Sequence, residues 1–211
     1  MAYQPRHQMK LYVTSTSPYA RFARIAAIEH ELSDQIDVIA AQTRQAGSPY
    51  YKINPSGRVP CLVLQDGTIL EESYLICRYF DGIGKGPKLV LPPETHDWEY
   101  GRLVALTRSF IDGIAVLARE VRRPETEQSP TIIEHEHARA GRLVDILEAE
   151  LSTLTMTGPF NLAQMIMIAA VDSGSRYFDW NMTDNRPQLA SWAEGLRQRP
   201  SVAATSPFDP L

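Results

Sequence analysis

The stretch "KLYVTSTSPYARFARI" (residues 10–25) sets the fold of the N-terminal part of the chain. Its first six residues, "KLYVTS", are rich in β-forming residues and end in a turn, so they predict a strand. From Pro18 onward the apolar residues fall at helical spacing, which predicts a helix. Ser17 and Pro18 stand at the N-cap and first position of that helix, where Ser and Pro are preferred.

The segments that follow extend this pattern to residue 83. "QIDVIA" (35–40) predicts a second strand, and a strand–helix–strand start places the two strands parallel. After a loop at 41–58, two apolar runs flank Asp66-Gly67, which predicts a β-hairpin. "YLICRYF", directly after Ser73, predicts a helix. Arg21 and Arg24 fall off the apolar face of the first helix, so we expect them outside the core.

The remainder of the chain has a helical pattern. "DGIGKGPKLVLPPETHD" is rich in Gly and Pro and predicts a linker. We expect helices over 95–123, from 130 along an apolar face that ends at Leu154, from "FNLAQMIMIAAV", and between Pro187 and Pro200. The chain therefore divides into an α/β domain, a linker and an all-helical domain, at residues 1–84, 85–94 and 95–211.

Composition narrows the class of protein. The 211 residues are 44% hydrophobic and carry a formal net charge of −4, which fits a globular chain and gives no support to a nucleic-acid partner. The first ten residues lack the apolar core of a secretory signal, and the most apolar segment (160–171) is too short to span a bilayer. Two cysteines, Cys61 and Cys77, favour core positions in a reducing cytoplasm. His135 and His137 lie two apart on a helix, so we expect no metal site.

Ser17 is the first candidate for chemistry. "SPYA" differs from the C-P-Y-C redox motif of glutaredoxins at both cysteine positions. A helix N-terminus favours an anion, including a thiolate. Lowering a thiol pKa by two units takes about 2.7 kcal/mol, and one hydrogen bond to a charged acceptor supplies about 1.5–3 kcal/mol. Ser17 can therefore stabilise a thiolate that a bound substrate brings, although capping of its own helix also accounts for it.

Two further segments offer binding groups. A cis bond at Val59-Pro60 would expose the Val59 backbone to an extended peptide, although only about 5% of such bonds are cis and a trans bond would be purely structural. Glu72 and Ser73 precede a helix, for which we expect Ser73 to be the N-cap. A carboxylate beside a hydroxyl also suits the ammonium and carboxylate of a γ-glutamyl group.

Taken together, these segments resemble one family. "SPYARFARIAAIEHEL" and "NPSGRVPCLVLQDGTILEESYLICRYF" are similar to the N-terminal domain of cytosolic glutathione S-transferases, and "DGIAVLAREVRRP" and "PQLASWAEGLRQRPSVAATSP" are similar to the helical half of bacterial members. The resemblance implies a serine-type member with a thioredoxin-like α/β N-terminal domain and an all-α C-terminal domain. It also implies a mixed sheet whose fourth strand is antiparallel.

The resemblance also implies roles for particular residues. Ser17, with Ser15 as the second choice, would stabilise the thiolate of the co-substrate glutathione. Arg58, Val59, Glu72 and Ser73 would bind the rest of that tripeptide.

A small hydrophobic electrophile would then bind between the domains, against the long helix near 98–122. The implied protein is a homodimeric, cytoplasmic detoxification enzyme without a metal or a membrane partner. A glutathione-dependent lyase, isomerase or dehalogenase, a non-catalytic binding module and a thiol–disulfide enzyme remain alternatives, and the missing cysteines make the last the least favoured.

One segment departs from the family pattern. The family has Ser/Thr-x-x-Asp in the helical domain, whereas "FNLAQ" places Asn161 and Gln164 there. Both residues can make reciprocal caps, so we expect the helix to form at a modest stability cost relative to an acid at 164.

Overall fold

The computed structural model describes residues 8–90 and 98–209. Its strands are β1 (Met9–Val13), β2 (Ile36–Ala40), β3 (Cys61–Val63) and β4 (Ile69–Leu70). Its α-helices are α1 (Pro18–Glu29), α2 (Ser73–Ile83), α3 (Trp98–Glu120), α4 (Pro130–Glu150), α5 (Leu154–Thr157), α6 (Leu162–Tyr177), α7 (Pro187–Arg197) and α8 (Pro200–Ala203). The predicted helix start at 95 and linker residues 91–94 lie outside the described ranges.

The four strands form one sheet in the order β2-β1-β3-β4, with β1 and β2 parallel. This confirms the thioredoxin-like α/β class and the mixed sheet. The strand that opposes the others is β3, because β3 pairs antiparallel with β1 and β4 pairs antiparallel with β3. The Asp66-Gly67 hairpin forms as predicted: Gly67 has φ +87°, and the Thr68 N–H donates to Asp66 Oδ1 at 2.8 Å.

Helix α1 packs against α2 in the N-terminal half and against α6 and α8 in the helical half. Phe22 and Ile25 are buried as the helical period predicts. Arg21, expected outside the core, is only 4% exposed because α1 also packs against α6 and α8. Its Nη1 lies 2.7 Å from Asp172 Oδ2 on α6, so the buried charge has a counter-ion.

Helix α6 forms the centre of the helical half. Every residue from 162 to 174 is buried, and the helix packs against α3. The second predicted helix begins at Pro130 as expected, but Leu154 does not lie on its face. Leu154 instead begins the short α5 and is 87% exposed. Within the described ranges, no helix has the length and apolar content needed to cross a membrane.

Two predicted caps form differently in the structure. Glu72, rather than Ser73, is the N-cap of α2, and its carboxylate accepts from the Tyr74 N–H at 3.2 Å. Asn161 caps α6 by accepting from the Gln164 N–H, but Gln164 does not return the bond. Its amide instead donates to the Thr155 carbonyl at 2.8 Å. An aspartate has no proton to donate at neutral pH, so the structure reverses the expectation that an acid at 164 would be more stable.

Candidate active site

A cleft of about 770 Å³ separates the N-terminal end of α1 from helices α3 and α6. All five residues that the sequence analysis assigns to a site line this cleft: Ser17, Arg58, Val59, Glu72 and Ser73. The chain brings them together from the start of α1, the loop before β3 and the start of α2. Ser15, the second choice for the thiolate contact, is not among the lining residues.

Ser17 caps α1 and faces the cleft at the same time. Its Oγ accepts a hydrogen bond from the Ala20 N–H at 3.2 Å, as the preference for Ser before Pro predicts. That bond uses a lone pair of the hydroxyl oxygen and not its proton. Within the described part of the chain, no acceptor takes this proton. Capping and donation to a ligand are therefore compatible, and the two readings of Ser17 do not exclude each other.

The loop before β3 presents the Val59 backbone. The Val59-Pro60 bond is cis, and no group of the described residues hydrogen-bonds to the main chain of Val59. The preceding carbonyl, that of Arg58, accepts from the Tyr50 hydroxyl and from Asn54 Nδ2 at 3.1 Å. These two side chains fix the loop from behind, which leaves the Val59 amide and carbonyl open to the cleft.

The turn into α2 supplies the acidic groups. The Glu71-Glu72 bond is cis. Glu71 Oε2 accepts from Asn54 and Ser56, so this carboxylate holds the loop. Ser73 Oγ donates to Glu72 Oε2 at 3.4 Å, and Arg108 on α3 lies 3.7 Å from the same oxygen. Glu72 therefore faces the cleft with one cation already beside it.

Tyr19 and Asp112 form a contact across the cleft that the sequence analysis missed. The Tyr19 hydroxyl donates to Asp112 Oδ1 on α3. Burial raises the pKa of Tyr19 well above its usual range, and the hydrogen bond to Asp112 and the charge of that residue raise it further. The phenol therefore keeps its proton and directs it at Asp112, so the Tyr19 hydroxyl is not free to donate to a ligand.

Helix α3 contributes a polar wall. Its lining residues recur three or four positions apart, so they share one helical face: Arg108, Asp112, Ala115, Arg119 and, just past the helix end, Arg122. This spacing is visible in the sequence and indicates a shared helical face, but it does not show that this face meets a cleft. On α6, Ser173 and Tyr177 line the cleft one turn apart, and Arg44 reaches it from the loop after β2.

Neither cysteine lines the cleft. Cys61 and Cys77 are buried, as predicted, and burial raises the pKa of both thiols. Among residues 8–90 and 98–209, no group of three or more His, Cys, Asp or Glu side chains is placed to hold a metal ion. The arrangement offers a hydroxyl, a helix N-terminus, an open backbone edge and several cations, which together suit an anionic ligand with peptide character.

Several known proteins are similar to this chain. Residues 16–83 match the model of the glutathione S-transferase N-terminal domain. The chain is 27% identical over 205 residues to the uncharacterized GST-like protein YibF of Escherichia coli (strain K12), covering 94% of this chain and 98% of that protein. It is also 27% identical to glutathione S-transferase L3 of Arabidopsis thaliana, over 95% of this chain and 83% of that one.

Solved structures agree over the full length. A glutathione transferase family member from Pseudomonas fluorescens Pf-5, crystallised with bound glutathione, superposes with a TM-score of 0.86 at 25% identity, covering 96% of this chain and 100% of that one. A glutathione S-transferase from Methylobacillus flagellatus KT, also with glutathione bound, gives a TM-score of 0.83 at 26% identity, covering 97% and 100%. Together with the mixed sheet and the helical half, these similarities show that the chain has the glutathione S-transferase architecture, a thioredoxin-like α/β domain followed by a helical domain.

Proposed function

We propose that this protein is a glutathione transferase in which Ser17 donates a hydrogen bond to the glutathione thiolate. The observation that carries the proposal is the Ser17 hydroxyl, which lines the cleft at the N-terminus of α1 with its proton unassigned. The helix N-terminus adds to the stabilisation of negative charge there. Relatives crystallised with glutathione support the choice of ligand.

The rest of the tripeptide fits the remaining groups. The open main chain of Val59 pairs with the cysteinyl backbone of glutathione as an added strand. Glu72 binds the ammonium of the γ-glutamyl end, and the Ser73 hydroxyl and the start of α2 bind its carboxylate. Arg58 supplies a further cation beside the tripeptide.

The reaction follows from the thiolate. Its sulfur forms a bond to an electrophilic carbon of a small hydrophobic substrate as the leaving group departs with its bonding electrons. At pH 7 a free thiol is about 3% ionised, so stabilising the thiolate raises the reactive fraction up to about thirty-fold. The protein gains no covalent bond in this step, which agrees with the absence of a base beside Ser17 among the described residues.

Replacing Ser17 tests the proposal. With 1-chloro-2,4-dinitrobenzene as electrophile, we expect Ser17→Ala to lower kcat/KM at pH 7 by about 10- to 30-fold, because the hydrogen bond to the thiolate is lost and the ionised fraction of the thiol limits the effect. The deficit should shrink toward pH 9, because the unassisted thiol then ionises by itself. A structural loss alone would lower the rate equally at every pH.

Two control variants complete the test. Ser15→Ala should leave the rate unchanged, because Ser15 does not line the cleft. Ser17→Thr keeps both cap and hydroxyl and should restore most of the activity. Unchanged activity in Ser17→Ala would overturn the assigned role, and failure of the wild-type protein to bind glutathione in calorimetry would overturn the function itself.

The same measurements separate the alternatives. Glutathione binding without conjugation of any electrophile would favour a non-catalytic binding module. Conversion of a substrate with glutathione recovered unchanged would favour a lyase or isomerase on the same site. We also propose that the chain is a cytoplasmic homodimer with domains at 1–84 and 95–211, which light scattering and limited proteolysis can test.

A further inference from the structure

Besides Arg58, which the proposed function assigns to the tripeptide, three arginines face the cleft without a carboxylate partner. Arg44, Arg119 and Arg122 all line it, and no acidic side chain of the described residues lies within ion-pair distance of them. The positive charges of these arginines act on one another. Burial lowers the pKa of the Arg44 guanidinium, and the positive charges of Arg119 and Arg122 lower it further. Like charges at close quarters cost free energy unless an anion lies among them.

The acidic groups of the same cleft do not supply that anion. Glu71 is engaged by Asn54 and Ser56 in the loop before β3. Glu72 caps α2 and lies beside Arg108. Asp112 accepts a hydrogen bond from the Tyr19 hydroxyl. Each carboxylate thus has partners of its own, and none of them is a counter-ion for the three arginines.

Two hydroxyls without partners belong to residues that line the same cleft. Ser173 is 4% exposed and lines the cleft, and no described group bonds to its Oγ. One turn later on α6, the buried hydroxyl oxygen of Tyr177 also lacks a hydrogen-bond partner. Arg122 lies 5.1 Å from the centre of the Tyr177 ring, which joins this pair to the arginines. A buried hydroxyl without a partner has lost its hydrogen bonds to water, so a ligand group that accepts from it gains affinity.

We infer that the second substrate is an electrophile bearing a carboxylate, held by Arg119 and Arg122 together with the hydroxyls of Ser173 and Tyr177. Guanidinium groups bind carboxylates through paired hydrogen bonds, and hydroxyl donors complete such a site. Ala115 and Ala118, which line the cleft beside Arg119, leave room for the hydrophobic body of the molecule. This inference rests on the proposed function and adds to it an anionic group that the electrophile must carry.

Matched conjugates test the inference directly. S-(4-carboxybenzyl)glutathione and S-benzylglutathione differ only in the carboxylate, so the ratio of their dissociation constants in calorimetry measures its contribution. We expect the wild-type protein to bind the carboxylated conjugate at least ten-fold more tightly. In the double variant Arg119→Gln/Arg122→Gln the ratio should fall to about one, while the affinity for glutathione itself stays within a factor of two.

Arg123→Gln is the matched control. It removes one such charge at the position next to Arg122, but Arg123 does not line the cleft and lies near Glu120 and Glu127. We expect this variant to keep the wild-type ratio, and thermal melting of all variants to show that they fold.

Each other result has a definite meaning. Equal affinity of the two conjugates for the wild-type protein would overturn the inference. An equal loss for both conjugates and for glutathione in the double variant would also overturn it, because the arginines would then hold the tripeptide's own carboxylate. If neither conjugate nor glutathione binds, the proposed function fails. Ligand-observed NMR with benzoate and benzamide then decides the inference alone: a preference for benzoate that the double variant loses supports it, and no preference overturns it.

Discussion

Arginines occupy two contrasting environments in this protein. At the junction of the two halves, Arg21 and Arg197 share Asp172, and Arg199 pairs with Glu29. In the cleft, Arg44, Arg119 and Arg122 face open space without a carboxylate. The same side chain thus holds the structure together in one region and remains available in the other. Charge that the fold neutralises serves stability, and charge that it leaves unpaired is available to a ligand.

The geometry of the junction explains why its charges are fixed. Asp172 Oδ2 lies 2.7 Å from Arg21 Nη1, and Oδ1 accepts from both Nε and Nη2 of Arg197. Arg21 Nη2 also donates to the Val202 carbonyl at 3.3 Å. One carboxylate on α6 therefore connects α1 with α7. The bond from Arg21 to the Val202 carbonyl connects α1 with α8 as well.

The largest effect is expected from Asp172→Ala. Removing this carboxylate leaves the buried Arg21 charge uncompensated, which costs about 3–5 kcal/mol where a buried pair is broken. Urea unfolding followed by circular dichroism measures the loss. Asp145→Ala is the control, because Asp145 also accepts from Nε and Nη2 of one arginine, Arg186, but is exposed. Exposed pairs contribute about 0.2–1 kcal/mol. Equal losses in the two variants would contradict the contrast between buried and exposed arginines.

An acid titration gives an intermediate effect. Burial alone would raise the pKa of Glu29, but hydrogen bonds from Arg199 and Ser201 outweigh it and hold the pKa below its ordinary value. A lowered folded-state pKa means that the stabilisation is present above the unfolded-state pKa and is lost as pH falls through the folded one. We expect the melting temperature to drop below about pH 4.5, near the ordinary glutamate pKa, and Glu29→Gln to show a shallower drop. Parallel curves for wild type and variant would count against the Glu29 pair as a stabilising contact.

The smallest effect is expected from the cleft arginines. Arg119→Gln/Arg122→Gln should change the free energy of unfolding by no more than about 0.5 kcal/mol, because exposed side chains away from packed contacts rarely do more. The sign should be stabilising, since two like charges facing Arg44 are removed. Thermal unfolding at low ionic strength gives the most sensitive reading. A loss of stability comparable to that of Asp172→Ala would show that these arginines are structural.

Much of the fold could be predicted because its signals are local. The Ser17-Pro18 helix start, the Asp66-Gly67 hairpin and the Pro130 helix start each depend on residues a few positions apart, and each forms as predicted. The sequence did not show which of two adjacent residues caps α2. Glu72 and Ser73 can both cap a helix, and the choice depends on how the chain enters α2. The predicted return bond of Gln164 does not form, because its amide donates to carbonyls of α5 and of the turn before α6.

The candidate site was predicted in part. All five predicted residues line the cleft, and their roles stay predictions. The wall contributed by α3 and α6 was not assigned to residues, although Arg108, Asp112 and Arg119 recur at helical spacing. Spacing shows that residues share a face, but not which face meets a cleft and which meets solvent.

The sequence by itself determined the order of strands and helices, the hairpin, and the serine at the start of α1, because the short-range energies of caps, turns and periodicity specify them. Only the tertiary structure decided which charges are neutralised. Arg21 is buried because Asp172, 151 positions later, reaches it when α1 packs on α6. Arg119 and Arg122 remain unpaired because no carboxylate of the described chain is brought within reach. Packing decides which charged side chains come close enough to pair, and packing depends on the whole chain.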